Sequence, residues 1–473
     1  MSLNATVRND SQPAIDLFRG WPNPALLPVT SLANSSATVY SSPAIYTPGL
    51  LYGPDDGHPP LRQHLARWLT SFYRPRDPVT ADRICITGGA SQNLACVLQV
   101  FADPGYTRNV WMVAPGYHLA CRIFDDAGFA GRLRAVPEDE EGLNVGFFRG
   151  ALEAAEKAWK GDSESQFKSA QPWRKIYKHV IYATPTFSNP STKTMTLRRR
   201  EELVRLAREF DALIVTDDVY DLLQWSSDPN GTLAQPDQRC APRLVDVDRY
   251  LDGGPQHEFG NAVSNGSFSK LIGPGLRTGW AEGTPKLAYG VSQAGSTRSG
   301  GAPSQMSSTI VAQLFSDGVI ESHIEKVLQP AYAERYHIVM SAIREHLLPL
   351  GVALPSTTQE TAGGYFIWID LPQPLQANEI VQRAKQEENL TLAPGDLFRV
   401  QGDEKAECNK FNRSLRLCFV WEAQDQLAEG IRRLARVVGR AADQAKAFCD
   451  RILRVPVQEL QLLNNYQLRI NIN

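Results

Sequence analysis

Two rhythms of apolar residues alternate along the chain. Short runs of consecutive apolar residues predict buried strands: RICIT (83–87), NVWMVA (109–114), RLRAV (132–136), KHVIYAT (178–184) and ALIVTDD (212–218). Between them, apolar residues recur every third or fourth position and predict helices. These are LRQHLARWLTSF after Pro59 and Pro60, GGASQNLACVLQVF (88–101) opening on a glycine turn, HLACRIFDDAG (118–128) and RRREELVRLAREF (198–210). Strands apolar on both faces and separated by helices predict an α/β fold, with a mostly parallel sheet flanked by helices. A long helical stretch follows over 303–347. The rhythm then changes to a smaller α+β unit: strand GYFIWIDL (364–371), helix ANEIVQRAKQE, strand SLRLCFV (414–420) and helix QLAEGIRRLARVV. The expected organisation is a proline-rich N-terminal arm (1–58), a large domain (59–325), a small C-terminal domain (326–445) and a tail (446–473) with no assignable role. Segments 160–175 and 225–262, rich in Ser, Gln, Pro, Asp and Gly, read as surface insertions.

Charge narrows the function classes. Lys plus Arg total 49 and Asp plus Glu 51, a net charge of -2. A near-neutral chain lacks the broad basic surface that nucleic acid binding requires. No apolar run approaches the roughly 20 residues of a membrane helix. The seven cysteines stand singly, with no CxxC pair, and the histidines form no HxH or HExxH pair. Zinc sites and disulfide frameworks are therefore not expected. With no apolar block near the start, a cytoplasmic protein is the expectation.

Candidate chemistry concentrates in Ser264-Asn265-Gly266-Ser267-Phe268-Ser269-Lys270, continuing LIGPGLRTGW. A single lysine is ordinarily a solvated charge. Its Ser, Gly, Pro and Trp neighbours are poor material for an exposed helix face. Ser267, Ser269 and Arg277 could instead gather around one anionic group, each charge-assisted bond contributing roughly 1.5–3 kcal/mol. Gly89-Ala90-Ser91 lies where a strand turns into a helix, a natural anion site, although turn glycines are often merely conformational. Asp217 ends an apolar strand, and Asp218 beside it points to the opposite face. Arg416 lies inside the apolar SLRLCF and cannot be buried without a partner; that partner is either a structural salt bridge or a ligand carboxylate.

These motifs resemble, in order, those of the class I/II aminotransferases, the fold-type-I pyridoxal-phosphate enzymes. The series runs Tyr52-Gly53 with Gly57 and Leu61-Arg62, Thr87-Gly88-Gly89-Ala90-Ser91-Gln92, Pro115-Gly116-Tyr117, and Pro185 to Pro190. It continues through Asp217-Asp218-Val219-Tyr220, the lysine segment, Pro394-Gly395 with Phe398, and Arg416. The likeness spans roughly residues 15–440. It is greatest to the branch acting on 2-aminoadipate and aromatic amino acids.

The resemblance implies a role for each position. Lys270 is the Schiff-base lysine for pyridoxal 5'-phosphate and the base that moves the substrate proton. Asp217 keeps the pyridine nitrogen protonated, Tyr220 and Asn189 reach the phenolic oxygen, and Tyr117 stacks on the ring. Ala90, Ser91, Ser267, Ser269 and Arg277 hold the phosphate. Tyr52 reaches the cofactor phosphate of a neighbouring subunit, implying a homodimer with composite sites. Arg416 binds the substrate carboxylate, Asn189 and Gly20 line the substrate site, and Arg19 and Trp21 are candidates for its side chain. The substrates implied are an amino acid and a 2-oxo acid, with no nucleic acid and no membrane. One departure stands out: Asn189-Pro190-Ser191-Thr192 replaces the usual Asn-Pro-Thr-Gly. The same cofactor would also serve a lyase, a decarboxylase or a carbon–carbon-bond-forming enzyme. Ser267-x-x-Lys270 fits a hydrolase motif, but no KTG, SDN or GxSxG partner occurs. A transaminase-like regulator would need a helix-turn-helix pattern that the arm does not show.

Overall fold

The computed structural model describes residues 12–160, 166–231, 241–298, 303–355 and 360–453. An eight-stranded sheet forms its centre, in the order Ile84–Thr87, Gly279–Glu282, Ala262–Ser267, Ala212–Asp217, His179–Ala183, Asn109–Ala114, Leu133–Asp139 and Gly142–Leu143. Neighbours from Ala262–Ser267 to Leu133–Asp139 pair in parallel. Gly279–Glu282 runs antiparallel to both of its neighbours, and Gly142–Leu143 antiparallel to its one. The apolar runs behave as their composition dictates, burying both faces. Met112, Val180, Tyr182, Leu213 and Val215 pack on one side with the Ala90–Phe101 helix. Trp111, Val113, Ile181 and Ile214 pack on the other with Leu203 and Val204.

A separate three-stranded antiparallel sheet places Ser414–Cys418 between Phe366–Asp370 and Ala393–Pro394. The helices Ala377–Glu388 and Gln424–Leu453 belong to this C-terminal region. Ile15–Asp16 joins it too, pairing in parallel with Leu390–Thr391. The Gln424–Leu453 helix carries eight residues of the expected tail, and 454–473 lie outside the described residues.

Several readings of the sequence need correction. The weakly periodic arm contains two helices, Val29–Ser41 and Pro43–Leu50. Proline at the first turn of a helix loses no hydrogen bond, so Pro43 starts a helix where its composition suggested a break. The segment 225–262 is not a surface insertion over its described length. Trp225 is buried, Gln224–Ser226 pairs with Thr361–Gly363, and the Leu244–Tyr250 helix buries Leu244, Val245 and Val247. Residues 232–240 lie outside the described set. The described part of 160–175 has no regular element, but it clasps a helix end. The Lys168 ammonium donates to the carbonyls of Leu98 (3.1 Å) and Ala102 at the close of Ala90–Phe101. Periodicity also passes over the short strands Ala262–Ser267 and Gly279–Glu282, whose serines and glycines hide a fully buried pattern.

Arg243 shows why polar 225–262 could be core. Its guanidinium is buried and bonds Asp246 (Nε, 2.9 Å) and Glu282 (Nη1, 2.7 Å), both buried. Arg243→Met leaves two carboxylates without their cation. The loss of stability is expected to be about 3–5 kcal/mol; urea unfolding within 1 kcal/mol of the wild type (about a fivefold change in the equilibrium constant) would overturn the account.

Candidate active site

The parallel strands all end at one edge of the sheet, and the motif residues follow those ends. Gly88 and Gly89 follow Thr87, Tyr117 follows Ala114, Asn189 follows Ala183, Asp217 closes its own strand, and Lys270 follows Ser267. A crevice at the carboxyl ends of parallel strands is where α/β sheets bind ligands.

One side of this crevice gathers hydrogen-bond donors. Gly89 caps the Ala90–Phe101 helix with φ 96°, and a Cβ there would lie 2.6 Å from Arg277 Nη2. Only glycine meets both demands. Glycine also offers no side-chain acceptor, so the Ala90 and Ser91 amides at the positive end of the helix stay uncapped by it. Arg277 arches over the turn, Nη2 donating to Gly88 O (2.9 Å) and Nη1 to Ser269 Oγ (3.3 Å). The Ser267 hydroxyl lies 2.9 Å from that of Ser269 and caps the turn Phe268–Lys270. Arg277 thus joins the turn leading into Ala90 and Ser91 to Ser269 and, through it, Ser267.

Asp217 lies deeper. Its Oδ2 accepts from Tyr182 Oη (2.7 Å), while Oδ1 is buried and has no partner among the described residues. Burial raises the carboxyl to about 6, against the pull of the Tyr182 hydrogen bond and the Lys270 charge. Asp218 faces the other way, accepting from Thr216 Oγ1 (2.7 Å) and Ser264 Oγ. Burial likewise pushes the Tyr117 phenol up to about 12, with Asp217 adding to the rise and Arg416 opposing it. Tyr220 is buried against Tyr365 and Phe366, with ring centroids 5.4 and 6.1 Å away.

Lys270 Nζ donates to Gly20 O at 2.9 Å and stands 5.0 Å from the Tyr365 ring centre. Burial lowers its ammonium to about 8; Arg416 adds to the fall, and Cys418 and Asp217 oppose it. An ordinary lysine titrates near 10.4, so this amine is far more often neutral at physiological pH.

Arg416 resolves the choice left open by its sequence. Only 5% exposed, it has no carboxylate partner among the described residues, so the salt-bridge reading fails. Nη1 donates to Asn189 Oδ1 (2.9 Å), Nη2 donates to Phe18 O (2.8 Å), and Nε is buried without a partner. The guanidinium lies 3.9 Å from the Phe366 ring centre and 4.6 Å from that of Phe398. Burial lowers it to about 10.

Not every expected residue joins this group. Tyr52 is 88% exposed in the single chain. Arg19 lies over the rings of Trp21 (4.9 Å) and Trp421 (4.7 Å) and pairs with Asp16 (3.6 Å). Sequence reasoning passed over Tyr182, Tyr365 and the Phe18 carbonyl. A phenol inside the otherwise apolar KHVIYAT was a signal for Tyr182. A backbone carbonyl leaves none.

The model of the aminotransferase class I and II family matches residues 47–434, and the chain belongs to that family. Two relatives are 27% identical. The aromatic-amino-acid aminotransferase 1 of Thermococcus litoralis aligns over 91% of this chain and 89% of its own length, and the 2-aminoadipate transaminase of Thermus thermophilus over 92% and 93%. The kynurenine aminotransferase of Pyrococcus horikoshii, solved with PMP, superposes with a TM-score of 0.71 at 26% identity, over 91% of this chain and 92% of that one. The scaffold is the fold-type-I aminotransferase fold, and the chain is an enzyme of amino-group transfer.

The unpaired Arg416 makes a test. Arg416→Lys keeps the charge but loses the fork, and kcat/KM for amino-acid donors is expected to fall on the order of a hundredfold. Arg416→Met should abolish turnover yet hold stability within about 1 kcal/mol, because the buried cation it removes has no counter-ion. Retained kcat/KM in Arg416→Lys would sink the carboxylate role.

Proposed function

We propose that this aminotransferase uses pyridoxal 5'-phosphate held by Lys270 and moves an amino group from 2-aminoadipate, an aromatic amino acid or a similar donor to a 2-oxo acid. The unpartnered Oδ1 of Asp217 carries the reading. A buried carboxylate oxygen needs a donor, and a protonated pyridine nitrogen is one. The anion cradle fits the phosphate, with Ala90 and Ser91 amides, Ser267, Ser269 and Arg277 as its donors. When bound, the cofactor supplies a sink for the electron pair left on the substrate Cα.

The remaining roles belong to the chain. Arg416 receives the substrate carboxylate on its fork, and Asn189 holds that fork in place. The low ammonium value of Lys270 suits an amine that takes a proton from one carbon and returns it to another. Gly20 O accepts a hydrogen bond from the Lys270 amine when it is free, steering Nζ between these positions. Tyr220 and Asn189 serve the phenolic oxygen, and Tyr117 covers the ring. Residues 59–325 act as the cofactor domain and 326–445 as a small domain carrying Arg416. A homodimer would place the exposed Tyr52 at a partner's phosphate site. The described cysteines are unpaired, in keeping with a reducing cytoplasmic setting. Among the described residues no helix is long and apolar enough to cross a membrane.

Protein loaded with pyridoxal phosphate should absorb in the visible. That band should be lost on adding 2-aminoadipate, glutamate, phenylalanine, tyrosine or leucine according to specificity, and a 2-oxo acid should restore it. Product formed in excess of one equivalent per site without an acceptor acid would point instead to lyase or decarboxylase chemistry. Lys270→Ala should lack the band, and turnover surviving in that variant removes the assignment. A second measurement uses pH. Condensation with an aldehyde needs the neutral amine, so uptake of added pyridoxal phosphate by the apoprotein should quicken as pH rises through about 8 and level off above it. A rise centred near 10, as for a solvated lysine, would contradict the buried setting.

A further inference from the structure

The loop that carries Asn189 is strained at both ends. Phe187 has φ 49° and Thr192 φ 66°, a region that non-glycine residues avoid and a β-branched one most of all. Such conformations persist where the surroundings over-determine them, and they cluster at functional sites. Apolar packing holds one end, where Phe187 is buried in the core. Among the described residues, a cavity of about 400 Å³ borders Ser191 and Lys193, and another of about 250 Å³ borders Phe187 and Thr192.

Hydrogen bonds hold the rest. Within the loop, Thr192 N donates to Ser188 O (2.7 Å), Ser188 N to Lys193 O (2.9 Å) and Phe187 N to Thr194 Oγ1 (3.1 Å). Two further bonds tie the loop to the end of the Leu133–Asp139 strand: Ser191 Oγ to Glu138 Oε1 (2.9 Å) and Lys193 Nζ to Asp139 O (2.8 Å). Ser191 is two residues from Asn189, whose Oδ1 receives Arg416 Nη1. Burial raises the Glu138 carboxyl to about 7, against the Lys193 charge and the Ser191 hydrogen bond, so a neutral amide is a fair stand-in for it.

We propose that Glu138 is a positioning residue for the amino-acid carboxylate: by accepting the Ser191 hydroxyl hydrogen it fixes the strained 187–192 loop so that Asn189 keeps the Arg416 fork aimed at the substrate. The inference rests on the reading of Arg416 as the carboxylate site. Glu138 touches neither substrate nor cofactor and acts through Ser191 and Asn189.

The test is calorimetric binding of two carboxylates without an amino group, adipate and 3-phenylpropionate, to the holoenzyme. Glu138→Ala and Ser191→Ala are each expected to weaken whichever probe binds by roughly tenfold, the loss of one such bond. The double variant should be no worse than either single one, since both remove the same bond. Glu138→Gln, which keeps an acceptor oxygen, should bind within about twofold of the wild type, and KM for the amino donor should follow the same order. Folded alanine variants that bind as tightly as the wild type overturn the proposal, and so does a Glu138→Gln enzyme as weak as Glu138→Ala. Should Glu138→Ala fail to fold, Ser191→Ala decides by itself. Arg416→Met separates this from the reading beneath it: probe binding undiminished there removes Arg416 as the carboxylate site, whatever Glu138 does.

Discussion

The Arg416 guanidinium is taken out of water and given neutral oxygens in place of a counter-ion. Its partners are an amide oxygen of Asn189 and the Phe18 carbonyl, with aromatic faces above and below. Such an arrangement costs several kcal/mol of desolvation that neutral acceptors only partly offset. The rest of the site has the same character. Asp217 keeps an oxygen without a donor, and Lys270 is held where its charged form is disfavoured. The fold maintains all three against their own preference for water by the apolar packing around them. A ligand bearing a carboxylate, a protonated ring nitrogen and a carbonyl relieves each in turn. Binding energy is thereby directed at the reacting atoms rather than spread over the substrate.

The two ends of the crevice solve different electrostatic problems. The proposed phosphate end is built from dipoles and one arginine tied to carbonyl and hydroxyl oxygens. The proposed carboxylate end is built from one cation with no acidic partner among the described residues, and its field reaches as far as Lys270 and Tyr117. Burial is what chiefly lowers the Lys270 ammonium, and that field adds to it. A carboxylate that neutralises Arg416 would remove only this smaller part.

Much of the fold and most of the site could be read from the sequence, for a physical reason. Strands of a parallel sheet buried on both faces are apolar throughout, as in Ile84–Thr87, Asn109–Ala114 and Ala212–Asp217, and the residues just past their ends are those the crevice uses. Lys270, Asp217, Asn189 and Arg416 all stand at such positions or on the strand facing them. What stayed hidden had other causes. Ala262–Ser267 is buried but made of serine, asparagine and glycine, because the backbone there packs closely; a Cβ on Gly266 would lie 2.0 Å from the Trp280 ring. Arg243 and its two carboxylates made a core segment look like surface, since paired charges and solvated charges are alike in composition. The Phe18 and Gly20 carbonyls belong to every residue type and cannot be told apart in a sequence. Strain at Phe187 and Thr192 is a property of the fold, not of the letters.

The contacts made by the start of the chain have a consequence for how the protein is born. Ile15–Asp16 pairs with Leu390–Thr391, Phe18 O meets Arg416, and Gly20 O meets Lys270. During synthesis the first of these partners to emerge is Lys270, and the others follow only after most of the polypeptide has left the ribosome. The opening segment must therefore wait, incompletely paired, until residues 390–416 have been made. A nascent chain halted before residue 390 can already possess the complete central sheet, yet it has nowhere to anchor that segment and no guanidinium to complete the crevice. Closing such distant contacts is the slow part of folding for a chain of this topology. On the proposed roles of Lys270 and Arg416, the site is therefore completed only late in synthesis.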